Sequence, residues 1–217
     1  MAKTTTMFIE HIINGFHFLL SLILFVLTIT GFQLIELNTI KSFMMNGGLI
    51  SHFIFLLPTI YTLGLIIDNL VDDKIFEKQE KKLRNKYISD KSHSGRKLIM
   101  LSKDDNQRRQ LDYIRTKIRI TRTASFNFGL LTFLSLLFTT IHLRGVLDGY
   151  LVLFIGLEAI VGGLLTYLAY WSWKSNTKTY CNRVVDGFKI LQLEQPKREH
   201  KQMESEDETD SYNLFDV

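Results

Sequence analysis

Polar and apolar residues are sorted along this chain into long blocks instead of alternating within short elements. No Asp, Glu, Lys or Arg occurs from His11 to Ile35, from Leu49 to Ile67 or from Ala124 to Leu143, and Gly149 to Trp173 holds only Glu158. A bilayer core of about 30 Å needs about 20 helical residues, so each run is long enough to span it. The runs also lack the polar spacing of a soluble amphipathic helix. The pattern therefore predicts an all-α membrane protein, a four-transmembrane-helix bundle. The first run exceeds a cleavable signal's apolar core and no small-residue cleavage site follows it, so it is expected to stay as an anchor.

Connections and charge complete the plan. Asn46-Gly47-Gly48 and Arg144-Gly145 predict tight turns, making residues 1–71 and 124–173 two transmembrane hairpins. Residues 72–123 carry 16 of the 26 Lys and Arg residues, whereas the two short connections hold only Lys41 and Arg144. Basic loops stay cytoplasmic, so this segment and both termini are expected on the cytoplasmic side of the cell membrane. Trp171 and Trp173, with Tyr167 and Tyr170, are expected as an interfacial belt where the fourth span ends.

Inside 72–123 a helical hairpin is predicted. Its first helix continues the second span from Asp68 to Tyr87, where Gly and Pro are absent and Glu77 precedes Lys81 by one turn. A turn follows at Ser92-His93-Ser94-Gly95, and Ser102-Lys103-Asp104-Asp105 reads as a capping box opening the second helix. On that helix Arg108, Arg115, Arg119 and Arg122 form one stripe, suited to an acidic partner subunit or to anionic lipid at about 1 kcal/mol per basic residue. The ordinary alternative is the positive-inside rule alone. Residues 174–217 form a cytoplasmic tail, expected to be disordered from about residue 196, where Glu204, Glu206, Asp207, Glu208 and Asp210 cluster.

Composition narrows the chemistry. A lone Cys181 among 217 residues excludes an intrachain disulfide framework and thiolate-based zinc or iron–sulfur sites. A net charge of +4 does not announce a nucleic-acid binder. No phosphate loop, metalloprotease motif or nucleophile elbow occurs, so the chain is expected to be a non-catalytic membrane subunit and not an enzyme alone.

Ionisable groups within the apolar runs are functional candidates, because hydrocarbon offers them no compensation. His52 and His142 are expected at one depth near the outer side, where two imidazoles could ligate a haem iron, and His17 lies inside the cytoplasmic end of the first span. Glu158 must be protonated or paired, which suits a proton path, quinone chemistry or a proton-coupled carrier; a helix–helix hydrogen bond to Asn127, Thr139 or Thr140 is the plainer alternative.

The stretch Phe8-Ile9-Glu10-His11-Ile12-Ile13-Asn14-Gly15-Phe16-His17-Phe18, running to Thr28-Ile29-Thr30-Gly31, resembles the first helix of prokaryotic membrane cytochrome b subunits, the formate dehydrogenase gamma and b561-like group. Leu49-Ile50-Ser51-His52-Phe53 is similar to the start of that family's second helix. The resemblance implies electron transfer through haem b and the anchoring of partner subunits, with His17 and His52 as inner- and outer-haem ligands. Family members carry two further histidines on the fourth helix, whereas this chain has none between His142 and His200. Two readings stand: a cytochrome b-type subunit with haem on His52 and His142, or a cofactor-free channel, carrier or assembly factor using Glu158 and the arginine stripe.

Overall fold

A computed structural model describes the backbone of residues 2–31, 48–88, 93–102 and 104–212, with side chains at 8–31, 56–88, 93–101, 104–147 and 149–191. The described residues are almost all helical, with no strand among them. In chain order they form α1 (Ala2–Thr30), α2 (Gly48–Leu70), a π-helical segment (Val71–Phe76), α3 (Glu77–Tyr87), α4 (Gly95–Ser102), α5 (Asp105–His142), α6 (Arg144–Leu147), a 3₁₀ turn (Asp148–Tyr150) and α7 (Leu151–Tyr212). Three helices, over Phe8–Thr30, Asp105–His142 and Leu151–Leu191, are long and apolar enough to cross a membrane. The outer turn at Asn46-Gly47 lies outside the described residues, as do the α2 side chains before Leu56.

Two compact units form, Met1–Lys81 with Arg115–Asn176, and Lys82–Ile114 with Thr177–Val217. In the first, α1 crosses α2 at a glycine pair. A Cβ on Gly15 would lie 1.8 Å from the Ile60 carbonyl oxygen, and one on Gly64 would lie 1.9 Å from that of His11. Only glycine permits such backbone contact, which is how helices associate when lipid supplies no hydrophobic drive between them. α5 runs parallel to α1: the Asn127 amide donates to the Asn14 carbonyl at 3.2 Å, and His142 Nε2 lies 2.8 Å from the Thr28 carbonyl. α7 runs antiparallel to α5, with Ser125 hydrogen-bonded to the Thr166 carbonyl and Ser135 to Glu158.

Burial in this unit is inverted relative to a water-soluble bundle. On α1, Phe16, Leu20 and Ile23 are 39–49 % exposed while Glu10, Asn14 and Ser21 are at most 1 % exposed. On α7, Val152, Leu153, Ile160, Leu164 and Leu168 are exposed. Apolar side chains outside and polar ones inside suit a hydrocarbon solvent.

In the second unit, Leu98, Leu111, Ile114, Cys181, Val184 and Phe188 form a buried apolar core. His93 stacks on Phe188 with ring centroids 4.2 Å apart. Helix α5 opens on Asp104, whose carboxylate accepts from the Asn106 amide at 2.8 Å. The start signal is thus placed two residues beyond the Ser102 of the expected box, since Asp serves as an N-cap as readily as Ser. Arg144-Gly145 lies in the short helix α6 in place of a tight turn, because the Val146 and Leu147 N–H groups donate to the Leu143 carbonyl and continue helical geometry.

The predicted helix from Asp68 to Tyr87 is continuous but carries the π segment. In a straight α-helix Glu80, twelve residues past Asp68, would sit about 120° further round. The wider turns of the π segment unwind that drift, so Asp68, Asp72 and Glu80 all reach Arg122.

Candidate functional site

Three polar groupings occupy the interior of the first unit. The first is a face of α1. Glu10, Asn14, His17 and Ser21 fall at i, i+4, i+7 and i+11, within about 60° of arc. Glu10, Asn14 and Ser21 are buried and His17 is half-buried. Asn127 on α5 closes over this face, donating to the Asn14 carbonyl, and Phe128 lies 5.4 Å from the His17 ring. Among the described residues, both Glu10 carboxyl oxygens, both amide atoms of Asn14, Oδ1 of Asn127 and Nδ1 of His11 and His17 are buried without a hydrogen-bond partner. A native interior leaves only a few such atoms unmatched per hundred residues, because each forfeits about 1–3 kcal/mol, and here seven gather around one helix face.

The second grouping surrounds Glu158. Its Oε1 accepts from the Ser135 hydroxyl at 3.0 Å and from the Thr139 hydroxyl at 2.9 Å, while Oε2 is buried without a partner among the described residues. The carboxyl borders a groove of about 420 Å³ lined by Leu24, Leu131, Thr132, Ser135, Leu157, Val161 and Gly162. Gly162 keeps α7 close to α5, since a Cβ there would lie 2.1 Å from the Thr132 hydroxyl. Two hydroxyl donors thus converge on one oxygen of the carboxyl, and the acceptor capacity of the other is unused among the described residues.

The third grouping is an ion-pair node. Arg122, 3 % exposed at its side chain, meets Asp72, lies 3.3 Å from Asp68 and lies 3.5 Å from Glu80. Thr123 adds a hydroxyl bond to Asp68 at 2.9 Å. Burial holds the Asp72 carboxyl above its ordinary range, and Arg122 pulls the other way without cancelling the effect.

The residues singled out in the sequence are thereby placed unequally. Glu158 has the hydroxyl partner Thr139 anticipated for it, with Ser135 in addition, whereas Asn127 bonds to Asn14. The arginine stripe does not stay on the surface: Arg108 is exposed, Arg115 and Arg119 are half-buried, and Arg122 is withdrawn into its carboxylates. Arg122 therefore has no face to offer a partner or lipid. The aromatic belt divides as well. Trp171 and Tyr167 are exposed, but Trp173 is fully buried with Phe76 edge-on at 4.8 Å, because residues two apart lie on different helix faces.

His142 is committed locally. Its Nε2 faces the Thr28 carbonyl, a pure acceptor, so that nitrogen donates. The ring rests on Gly31, where a Cβ would lie 2.9 Å from Cε1. A haem ligated through Nε2 would need that bond opened and the ring moved off Gly31, so the described geometry at His142 does not fit the group. The His52 side chain lies outside the described residues. No cluster of three or more His, Cys, Asp or Glu suited to a metal ion occurs among the described residues.

Apart from His17, the buried face of α1 was not singled out in the sequence. Its signal was present, because the spacing of Glu10, Asn14, His17 and Ser21 is the same helical arithmetic that marked the arginines. No family model, curated protein or solved structure matches the chain.

Proposed function

We propose that the chain is a cofactor-free, four-span cell-membrane protein that translocates protons, as a small channel or proton-coupled carrier, with Glu158 as the protonatable group in its outer half. The observation that carries this reading is the Glu158 carboxyl, fixed by Ser135 and Thr139 through one oxygen while the other has no partner among the described residues. A carboxyl within hydrocarbon costs at least about 2.5–3.5 kcal/mol on insertion scales, which makes one held there by two hydroxyls a functional candidate. The uncharged run from Leu49 to Ile67 supports α2 as the fourth span. The basic residues of 72–123 support a cytoplasmic location for that segment and both termini.

Proteoliposomes enclosing a pH-sensitive dye test it. Under an imposed gradient the wild type should dissipate the pH difference faster than protein-free vesicles, and Glu158→Gln should slow this by about a hundredfold, the lower range for removing a positioned proton-transfer group. Wild-type vesicles no leakier than empty ones would overturn the reading. Protein purified from haem-replete cells should show no b-type absorbance band on reduction; a stoichiometric band would return the cytochrome alternative.

A further inference from the structure

Glu10, Asn14, His17 and Asn127 form a second constellation that the Glu158 site does not use. Adjacent polar positions on α1 rise by about 6, 4.5 and 6 Å from Glu10 through Asn14 and His17 to Ser21. A single water that donates one bond and accepts another, each of about 2.8 Å and at a near-tetrahedral angle, bridges groups about 4.5 Å apart. The rises along α1 are thus of the order that one or two waters per gap would span. The atoms that such waters would satisfy are those the protein leaves unmatched among its described residues: both oxygens of Glu10, both amide atoms of Asn14, Asn127 Oδ1 and His17 Nδ1. Buried waters occur where two to four polar partners converge, and the alternation of carboxyl, amide and imidazole supplies them.

We infer that this face is a hydrated file that binds a proton at Glu10 and delivers it toward His17 and Ser21, the cytoplasmic leg of the route whose outer leg holds Glu158. The inference rests on the proposed function for its direction, since that reading puts the Glu10 end on the cytoplasmic side. Leu24, one turn beyond Ser21, lines the Glu158 groove, so the Ser21 end of the face lies one turn from that groove. The transfer needs no redox partner: the Glu10 carboxylate takes a proton from cytoplasmic water, returns to carboxylate as a file water carries the proton on, and His17 accepts it at Nδ1. The charged groups acting on Glu10 are Arg119 and Arg122 on α5 and Asp68 on α2; Arg119 and Asp68 also act on His11 beside it.

Infrared difference spectroscopy of the full chain in nanodiscs tests the file without requiring transport. The carboxylic C=O band absent from Glu10→Gln should be present in wild type and should shift within the mixing time on transfer to D₂O. Asn14→Leu, equal in side-chain heavy atoms and free of unmatched polar atoms, should slow that exchange by about tenfold or more, as loss of a water-bridging group in a proton-transfer step implies. A Glu10 band that exchanges only on unfolding, or exchange unaltered in Asn14→Leu, overturns the inference. If Glu10→Gln does not fold, Glu10→Asp should shift the same band and serves to assign it. Flux blocked by Glu158→Gln with a non-exchanging Glu10 would sink the file and leave the proposed function standing. Rapid exchange in a wild type that carries no flux would sink the proposed function and leave the file.

Discussion

His142 and Thr28 are joined by a 2.8 Å contact between an imidazole Nε2 and a main-chain carbonyl near the end of α1. With the Asn127–Asn14 bond it fixes the parallel register of α1 and α5, because 28 and 142 differ by 114 and 14 and 127 by 113. The helix stops there on Gly31, whose φ of +64° is left-handed and whose missing Cβ seats the His142 ring. Gly31→Ala is therefore expected to destabilise the protein twice over. The backbone alone costs about 1–2 kcal/mol for an L side chain, and the displaced ring loses its carbonyl. Thermal unfolding in detergent should show a lower midpoint for Gly31→Ala than for His142→Gln, which leaves the backbone unstrained.

The α1–α2 crossing leads to a steeper expectation. At Gly15 and Gly64 the opposing atoms are backbone, which cannot rotate away as a side-chain tip can. Gly15→Val or Gly64→Val should force the helices apart and cost about 1–3 kcal/mol or more, the range for overpacked cores. Gly156→Val on α7, where an added Cβ meets nothing within 4 Å, is the matched control and should leave the unfolding midpoint unchanged.

The helical blocks, their apolar lengths and the candidate Glu158 were legible in the sequence because hydropathy over about twenty residues is a strong, local signal. What was not legible is which side of each helix faces protein. Trp173 and Trp171 look equivalent in a list of aromatics, and Arg122 looks like one more basic residue; only packing sends Trp173 against Phe76 and Arg122 among Asp68, Asp72 and Glu80. In lipid the usual rule of apolar-inside is suspended, so the polar face of α1 carried the information about the interior and its apolar residues carried little.

Trp173 and Trp171 should accordingly respond differently to truncation. Trp173→Ala opens a cavity in a fully buried position and should cost about 3–5 kcal/mol, whereas Trp171→Ala, at a 59 % exposed position, should stay within about 0.5 kcal/mol. Comparable losses at both would place Trp173 at the surface and contradict its burial.

Loss of Arg122 should be felt as strongly as loss of Trp173. Removing it leaves Asp68 and its neighbours without the buried cation that compensates them, and breaking one side of a buried ion pair costs about 3–5 kcal/mol. Arg122→Met should therefore destabilise far more than Arg108→Met, whose side chain is exposed. The node also sets a pH dependence. Burial raises Asp72 from its ordinary value of 3.8, with Arg122 opposing and Glu80, Asp68 and Asp73 reinforcing the rise. The folded chain thus keeps the Asp72 proton to a higher pH than the unfolded chain does. Through that window the native state binds more protons, so stability falls as pH rises. The window opens at the unfolded Asp value and extends upward to the raised one. Asp72→Asn should flatten this slope, and Arg122→Met should extend it to higher pH by removing the opposing cation. Unfolding midpoints measured across mildly acidic pH separate these outcomes, and a wild-type stability that rises through the window with an unaltered slope in Asp72→Asn would contradict the placement of that carboxyl.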